Sequence, residues 1–154
     1  MNITMEKSKN DQNVVVNDLK LLLADSYVLY VKTQNFHWNV IGPRFHQLHA
    51  LFQEHYTELA EAIDVIAEQI RILNGRPPSS MGEFLELSTL EESTEQLNEN
   101  DMLGILLDDN SSLVEQLTKS IESAQKAGDE GTADLLVARL RAHRKNCWMF
   151  KSHL

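Results

Sequence analysis

The sequence predicts an all-α protein folded as one four-helix bundle. Three observations carry that expectation: apolar residues recur at spacings of three and four, chain-breaking residues are confined to three places, and strand-like alternation is absent. All three prolines, Pro43, Pro77 and Pro78, and five of the six glycines fall near residue 42, between 75 and 82, or between 128 and 131. Those breaks divide the chain into four long segments, and 154 residues suffice for a single domain with a sizeable core.

Residues 1–12 are polar and are expected to form a flexible tail, with the bundle domain spanning 13–154. A first helix is expected over about 13–39, with Leu19, Leu22, Leu23, Tyr27, Tyr30 and Val31 on its inner face. The second is expected over about 43–74, with Pro43 suited to its first turn and Gly75 supplying its stop. Residues 76–98 carry Pro77-Pro78-Ser79-Ser80 and then Phe84, Leu85 and Leu87, a stretch too long for a tight hairpin. It predicts a long crossover bearing a short helix. A third helix, about 99–126, places Leu103, Leu106, Leu113, Leu117 and Ile121 inward. The fourth, about 132–151, carries Leu136, Leu140, His143, Cys147, Phe150 and Leu154 at 4-3-4-3-4 spacing, which assigns His143 and Cys147 to packing. Four long helices with one long middle connection match the ferritin-like topology among helix bundles.

Composition narrows the function. Fourteen Lys and Arg against 23 Asp and Glu give a net charge of −9, which disfavours gripping phosphate backbones through bulk positive charge. No 18-residue stretch is free of charge, so no membrane span is expected, and the N-terminus lacks the apolar core of a signal peptide. The single cysteine, Cys147, has no intrachain partner, and a reducing cytoplasm is the simplest compartment.

Two features exceed what packing requires. Asp64 interrupts the apolar run Ala62-Ile63-Asp64-Val65-Ile66-Ala67, and Glu68 follows one turn later, about 6 Å along the axis. Histidines gather at the corner between the first two helices: His37 beside Trp38, then His46 and His49. Taken singly, a helical histidine is usually structural and an Asp/Glu pair is usually a solvated edge. No Glu has His three residues later, so an ordinary di-iron centre inside one chain is not expected. His49 and Asp64, 15 residues apart, lie about 22 Å apart along one helix stripe and cannot share a metal. Two copies with their second helices antiparallel across a two-fold axis near residues 56 and 57 would bring His49 of one opposite Asp64 of the other, twice. Such imidazole and carboxylate ligands, with positions left open, suit divalent iron, manganese or zinc.

The run His37-Trp38-Asn39-Val40, Gly42, Phe45, Leu48-His49, Phe52, Tyr56, Leu59, Asp64, Ala67-Glu68 and Ile70 resembles the ferroxidase signature of the Dps mini-ferritins, the DNA-binding proteins from starved cells. The resemblance implies a hollow shell of twelve subunits that oxidises Fe(II), typically with hydrogen peroxide, stores the ferric product and so limits oxidative damage under stress. It implies that His37 and His49 of one subunit join Asp64 and Glu68 of its dimer partner as iron ligands, with Trp38 beside the site as an oxidisable ring; the alternative role of Trp38 is an aromatic packed at a helix end. Zinc or manganese are possible substitutes for iron. Gln53 departs from the acid that many relatives carry there for a second iron, and His46 is assigned to the surface. Asp129, Glu130 and Asp134 match the family's negatively charged three-fold pore for ferrous ions; their alternative role is stabilising a helix N-terminus.

The family name suggests DNA, but the first 13 residues balance Lys7 and Lys9 with Glu6 and Asp11, and twelve copies would carry twelve times nine, or 108, formal negative charges. Little counterion release is available, so direct duplex binding is not expected. The rival reading is a nucleoid-associated or structural shell whose metal site is silent.

Overall fold

The structure, a computed structural model, describes residues 3–154. Its elements are α1 (Ile3–Asn39), α2 (Phe45–Ile72), α3 (Met81–Leu87), α4 (Glu99–Lys126) and α5 (Glu130–Lys151), and no strand occurs among the described residues. α1 packs on α2 and α4 on α5, α1 also meets α4, and α2 meets α5, so the helices form a closed square. α2 and α4 lie on a diagonal. The crossover between them has to pass over the bundle, and its helix α3 rests on α1. Arg44, just before α2, bonds Glu99 and Asn100 at the start of α4 and the His153 carbonyl after α5, which puts these three ends at one pole.

Helix α1 begins at Ile3 rather than near residue 13; residues 1 and 2 of the expected tail lie outside the described residues. The segment 3–12 has no Gly or Pro to stop a helix, and Asp11 pairs with Lys126 at 3.9 Å. Packing against the core starts at Val15. The inner face of α1 also differs by one residue: Val31 is exposed and Lys32 is buried, its ammonium 2.7 Å from Asp109. α2 ends at Ile72, and the left-handed residue that stops it is Asn74 rather than the predicted Gly75. Asn74 adopts the left-handed conformation (φ 65°) and the Gly75 N–H donates back to the Ile70 carbonyl, closing the last turn. At the other break Gly128 (φ 72°) plays that part and Asp129 N–H donates to Ala124.

The core is one continuous cluster with Phe36, Phe52, Phe150, Ile66, Ile70 and most leucines of α1, α2 and α4 buried. Ile121 and Leu140 pack against it only in part, and Leu154 lies outside it. Asp25, buried in α1, accepts from Ser88 Oγ, Thr89 N–H and Thr89 Oγ1, which ties the crossover to the bundle.

Candidate metal centre

The corner between α1 and α2 is built around one glycine and one arginine. Gly42 has φ +149°, and a Cβ there would overlap the Glu99 carboxylate. That carboxylate is buried and accepts from Arg44 Nε at 2.8 Å. The turn is thereby fixed, and it folds the first turn of α2 back on the last turn of α1.

His37 and His49 meet across this corner with rings stacked at 3.8 Å and 13°. Each Nδ1–H donates to the other residue's backbone carbonyl, His37 to His49 at 2.6 Å and His49 to His37 at 2.7 Å. The His37 carbonyl belongs to the last turn of α1, where helical partners run out, so the bond also satisfies an orphan acceptor. With Nδ1 protonated, each Nε2 carries the lone pair a metal needs, and neither makes a hydrogen bond among the described residues. Tyr56 meets His37 edge-on at 5.2 Å and Phe45 stacks on His49 at 5.0 Å, walling the pair on two sides.

Asp64 and Glu68 occupy the same unbroken helix α2 and are both exposed. The apolar run around Asp64 is not one face: Ile63 and Ile66 point into the core while Asp64 and Val65 point out. Asp64 lines an open groove of about 590 Å³ beside Ala60, Ala67, Met81 and Phe84, between α2, α1 and the crossover. The helix keeps Asp64 about 22 Å and Glu68 about 28 Å from His49. Among the described residues no three His, Cys, Asp or Glu side chains gather as a metal-binding group. Each chain thus holds the imidazoles and the carboxylates at separate places.

Trp38 and His46 are exposed, and Gln53 is exposed on α2. At the start of α5, Asp129 is the N-cap: its carboxylate accepts from Thr132 N–H at 3.0 Å and Thr132 Oγ1 at 2.6 Å. Glu130 and Asp134 stay exposed. The expected packing role of His143 holds, since it is fully buried, while Cys147 is half-buried. Sequence reasoning missed the Arg44–Glu99 clamp, the buried Lys32–Asp109 pair and the polar cluster of Glu58, Arg139, His143 and Asn110. Asp25, set in Leu21-Leu22-Leu23-Ala24-Asp25-Ser26, breaks an apolar run as Asp64 does and could have been found by the same signal.

Comparison with known proteins agrees with this architecture. The ferritin-like domain family model matches residues 16–154. DNA protection during starvation protein 2 of Bacillus anthracis is 39% identical over 140 residues, covering 91% of this chain and 96% of that one. The structure of Dps from Thermosynechococcus elongatus superposes with a TM-score of 0.93 at 30% identity, covering 96% of this chain and 94% of that chain. Dps from Vibrio cholerae O1, described as a member of a broad superfamily of ferritin-like diiron-carboxylate proteins, superposes at 0.89 with 35% identity, covering 93% and 90%. No helix among the described residues is long and apolar enough to cross a membrane. With four helices in this topology and a family match spanning nearly all of them, the chain belongs to the ferritin-like family and, within it, to the Dps proteins.

Proposed function

We propose that this protein is an iron-storing ferroxidase: it oxidises Fe(II), preferentially with hydrogen peroxide, at sites shared between two subunits, and holds the ferric product inside a shell of twelve. The observation that carries the reading is the separation within one chain of two imidazoles with free Nε2 atoms from two exposed carboxylates on the same helix. An isologous dimer with antiparallel α2 helices completes two such sites at once. Exposed Met81 in the Asp64 groove, and exposed Val31 and Leu85 in the apolar pocket that shares Tyr27, Met81 and Phe84 with it, support a second copy on that face.

In this reading His37 and His49 bind Fe(II) from one subunit, and Asp64 and Glu68 bind it from the partner. Water and peroxide take the positions left open. Peroxide accepts one electron from each of two Fe(II) ions and two protons, and leaves as two waters, so no hydroxyl radical is released. Trp38 stands next in the chain to His37 as an oxidisable ring. Glu130 and Asp134 form the negative inlet for Fe(II), and Asp129 adds charge there while it caps α5. Zn(II) or Mn(II) fits the same donors and competes with Fe(II). The protein acts in the cytoplasm as a stress protectant, and duplex DNA is not a partner.

Subunit mixing tests the shared site. His49→Gln and Asp64→Ala variants are each expected to lose peroxide-dependent Fe(II) oxidation under anaerobic conditions. Refolded together at equal amounts, they pair at random, and each mixed dimer regains one intact site of its two. Roughly a quarter of the sites should then recover, by the symmetry of the dimer. No recovery would place all ligands in one chain, and undiminished oxidation in Asp64→Ala would leave a structural shell with a silent site.

A further inference from the structure

A second group of histidines lies in the middle of the bundle, where α5 faces α2 and α4, and neither iron binding nor the packing stripe accounts for it. His143 is fully buried, and its neighbours Asn110 and Arg139 are buried too. The hydrogen bonds there leave no freedom of protonation. Asn110 Nδ2 donates to the Leu106 carbonyl at 2.8 Å, which turns its Oδ1 to His143 Nδ1 at 2.7 Å, so Nδ1 bears the proton. On the other side Arg139 Nη2 stands 3.2 Å from His143 Nε2, and because a guanidinium only donates, Nε2 accepts. Arg139 continues outward to the half-exposed Glu58 carboxylate of α2 through both terminal nitrogens, while its Nε has no partner among the described residues. Next to this lies His55 of α2, edge-on to Phe150 at 5.0 Å, with both ring nitrogens buried and without a partner among the described residues.

The charged groups facing the two rings are few. Glu58 comes from α2, and Arg139 and Lys145 come from α5. α4 contributes the neutral Asn110, and its adjacent Asp109 is turned to Lys32 of α1. The buried carboxylate of α1, Asp25, is engaged by Ser88 and Thr89. Burial holds His55 down to about 4, with the Glu58 charge opposing and Lys145 adding. Burial holds His143 lower still, to about 3, reinforced by Arg139 and His55.

We propose that this cluster is an acid-sensitive latch on α5: a proton added at His143 Nε2 sets two donors against each other across the Arg139 contact, and α5 parts from α2 and α4. Among the described residues the only partner at Nε2 is Arg139 Nη2, itself a donor, so the new N–H meets no acceptor there. At neutral pH both imidazoles are uncharged, and the latch is closed. The inference stands apart from the iron reading, because it concerns a different face of α2 and needs no metal.

The test is an acid titration of the full-length protein from pH 7 to 3, following the near-ultraviolet circular dichroism of its aromatic side chains. Packing should be lost cooperatively on acidification. His143→Gln keeps one donor for Asn110 and one acceptor for Arg139 but cannot ionise, and His55→Leu removes the other imidazole. Each should move the midpoint to lower pH by roughly half a unit or more, while exposed His46→Gln leaves it in place. Unchanged midpoints in both variants would overturn the proposal. Should either variant fail to fold, histidine-selective nitrogen NMR of the unsubstituted protein decides. A His143 ring fixed as the Nδ1–H tautomer until packing is lost supports the latch. A ring that takes up a proton near 6.5 with packing intact overturns it.

Discussion

His37 and His49 stack at the end of the bundle with their Nδ1–H groups given to backbone carbonyls and their Nε2 atoms without a hydrogen bond among the described residues, whereas His55 and His143 have their ring nitrogens buried inside it. All four are imidazoles on α1, α2 and α5, yet their surroundings assign them opposite tasks. A backbone carbonyl is an acceptor that cannot titrate, so it fixes a ring's tautomer and leaves the far nitrogen available to an incoming cation. A guanidinium at the far nitrogen uses up the lone pair and opposes any added positive charge. His37 and His143 are both buried, so the partner of each ring nitrogen separates the ligand histidine from the structural one, while His55, with neither nitrogen partnered among the described residues, is set apart by burial.

The largest expected effect lies in pH. A buried neutral imidazole binds protons less readily than the same residue in the unfolded chain, whose value is 6.5. Below 6.5 the unfolded chain therefore holds more protons, and stability falls as pH falls until the folded-state values near 4 and 3 are reached. With both rings contributing, the slope can reach about 2.7 kcal/mol per pH unit. Urea denaturation at a series of pH values from 6.5 to 5 reads this contribution, and the same series on His143→Gln and His55→Leu separates it from Asp18 and Asp109, whose carboxyls burial raises. A flat profile there would erase the contrast between the two pairs.

Next in size is the corner that builds the outer pair. Gly42→Ala must relieve both a backbone conformation that disfavours side chains and the overlap with Glu99, so the Glu99–Arg44 clamp has to open. The expected cost is about 3 kcal/mol, measured by denaturant unfolding, and Fe(II) oxidation should fall with it because the corner aligns His37 with His49. A cost below about 1 kcal/mol would show that the glycine is not what holds the turn. The inner pair has its own asymmetry. Glu58→Ala leaves the buried Arg139 charge uncompensated and should cost about 2 to 3 kcal/mol. Arg139→Met leaves Glu58, which is half-exposed, free to turn to water, and should cost less. The reverse order would mean that Glu58 contributes little to holding α5.

Much of this molecule was legible from local spacing. The four long helices, the breaks between them and the short helix in the crossover follow from apolar periodicity and from where Gly and Pro fall. The places where sequence and structure part are instructive. Val31 and Lys32 exchange places because Asp109, 77 residues away, offers Lys32 a buried partner, and nothing near Lys32 in the chain announces it. Asp64 was read as a carboxylate in an apolar face, but the turn of α2 exposes it beside Val65. α1 starts early because nothing in the segment 3–12 stops a helix, and polarity alone does not end one. The outer histidines were visible as a family pattern, but their reciprocal carbonyl bonds were not, since these depend on a corner set by Gly42 and by Glu99, 57 residues further on. His143 was placed correctly in the core, but its partner Asn110 is 33 residues distant and lies on another helix.

The smallest expected change in stability distinguishes the pairs most sharply. His49→Gln removes a half-exposed ring, one hydrogen bond to the His37 carbonyl and the stacking on His37 and Phe45. Glutamine reaches far enough to donate to the same carbonyl, and water can enter at the edge, so metal-free stability should drop by about 1 kcal/mol or less. Oxidation of Fe(II) should nonetheless collapse, because the amide supplies no imidazole lone pair. A residue retained for packing shows the opposite ratio: much stability lost and little chemistry. Measuring both quantities in the metal-free His49→Gln protein therefore classifies the ring, and a large loss of stability with oxidation intact would move His49 into the structural class with His143.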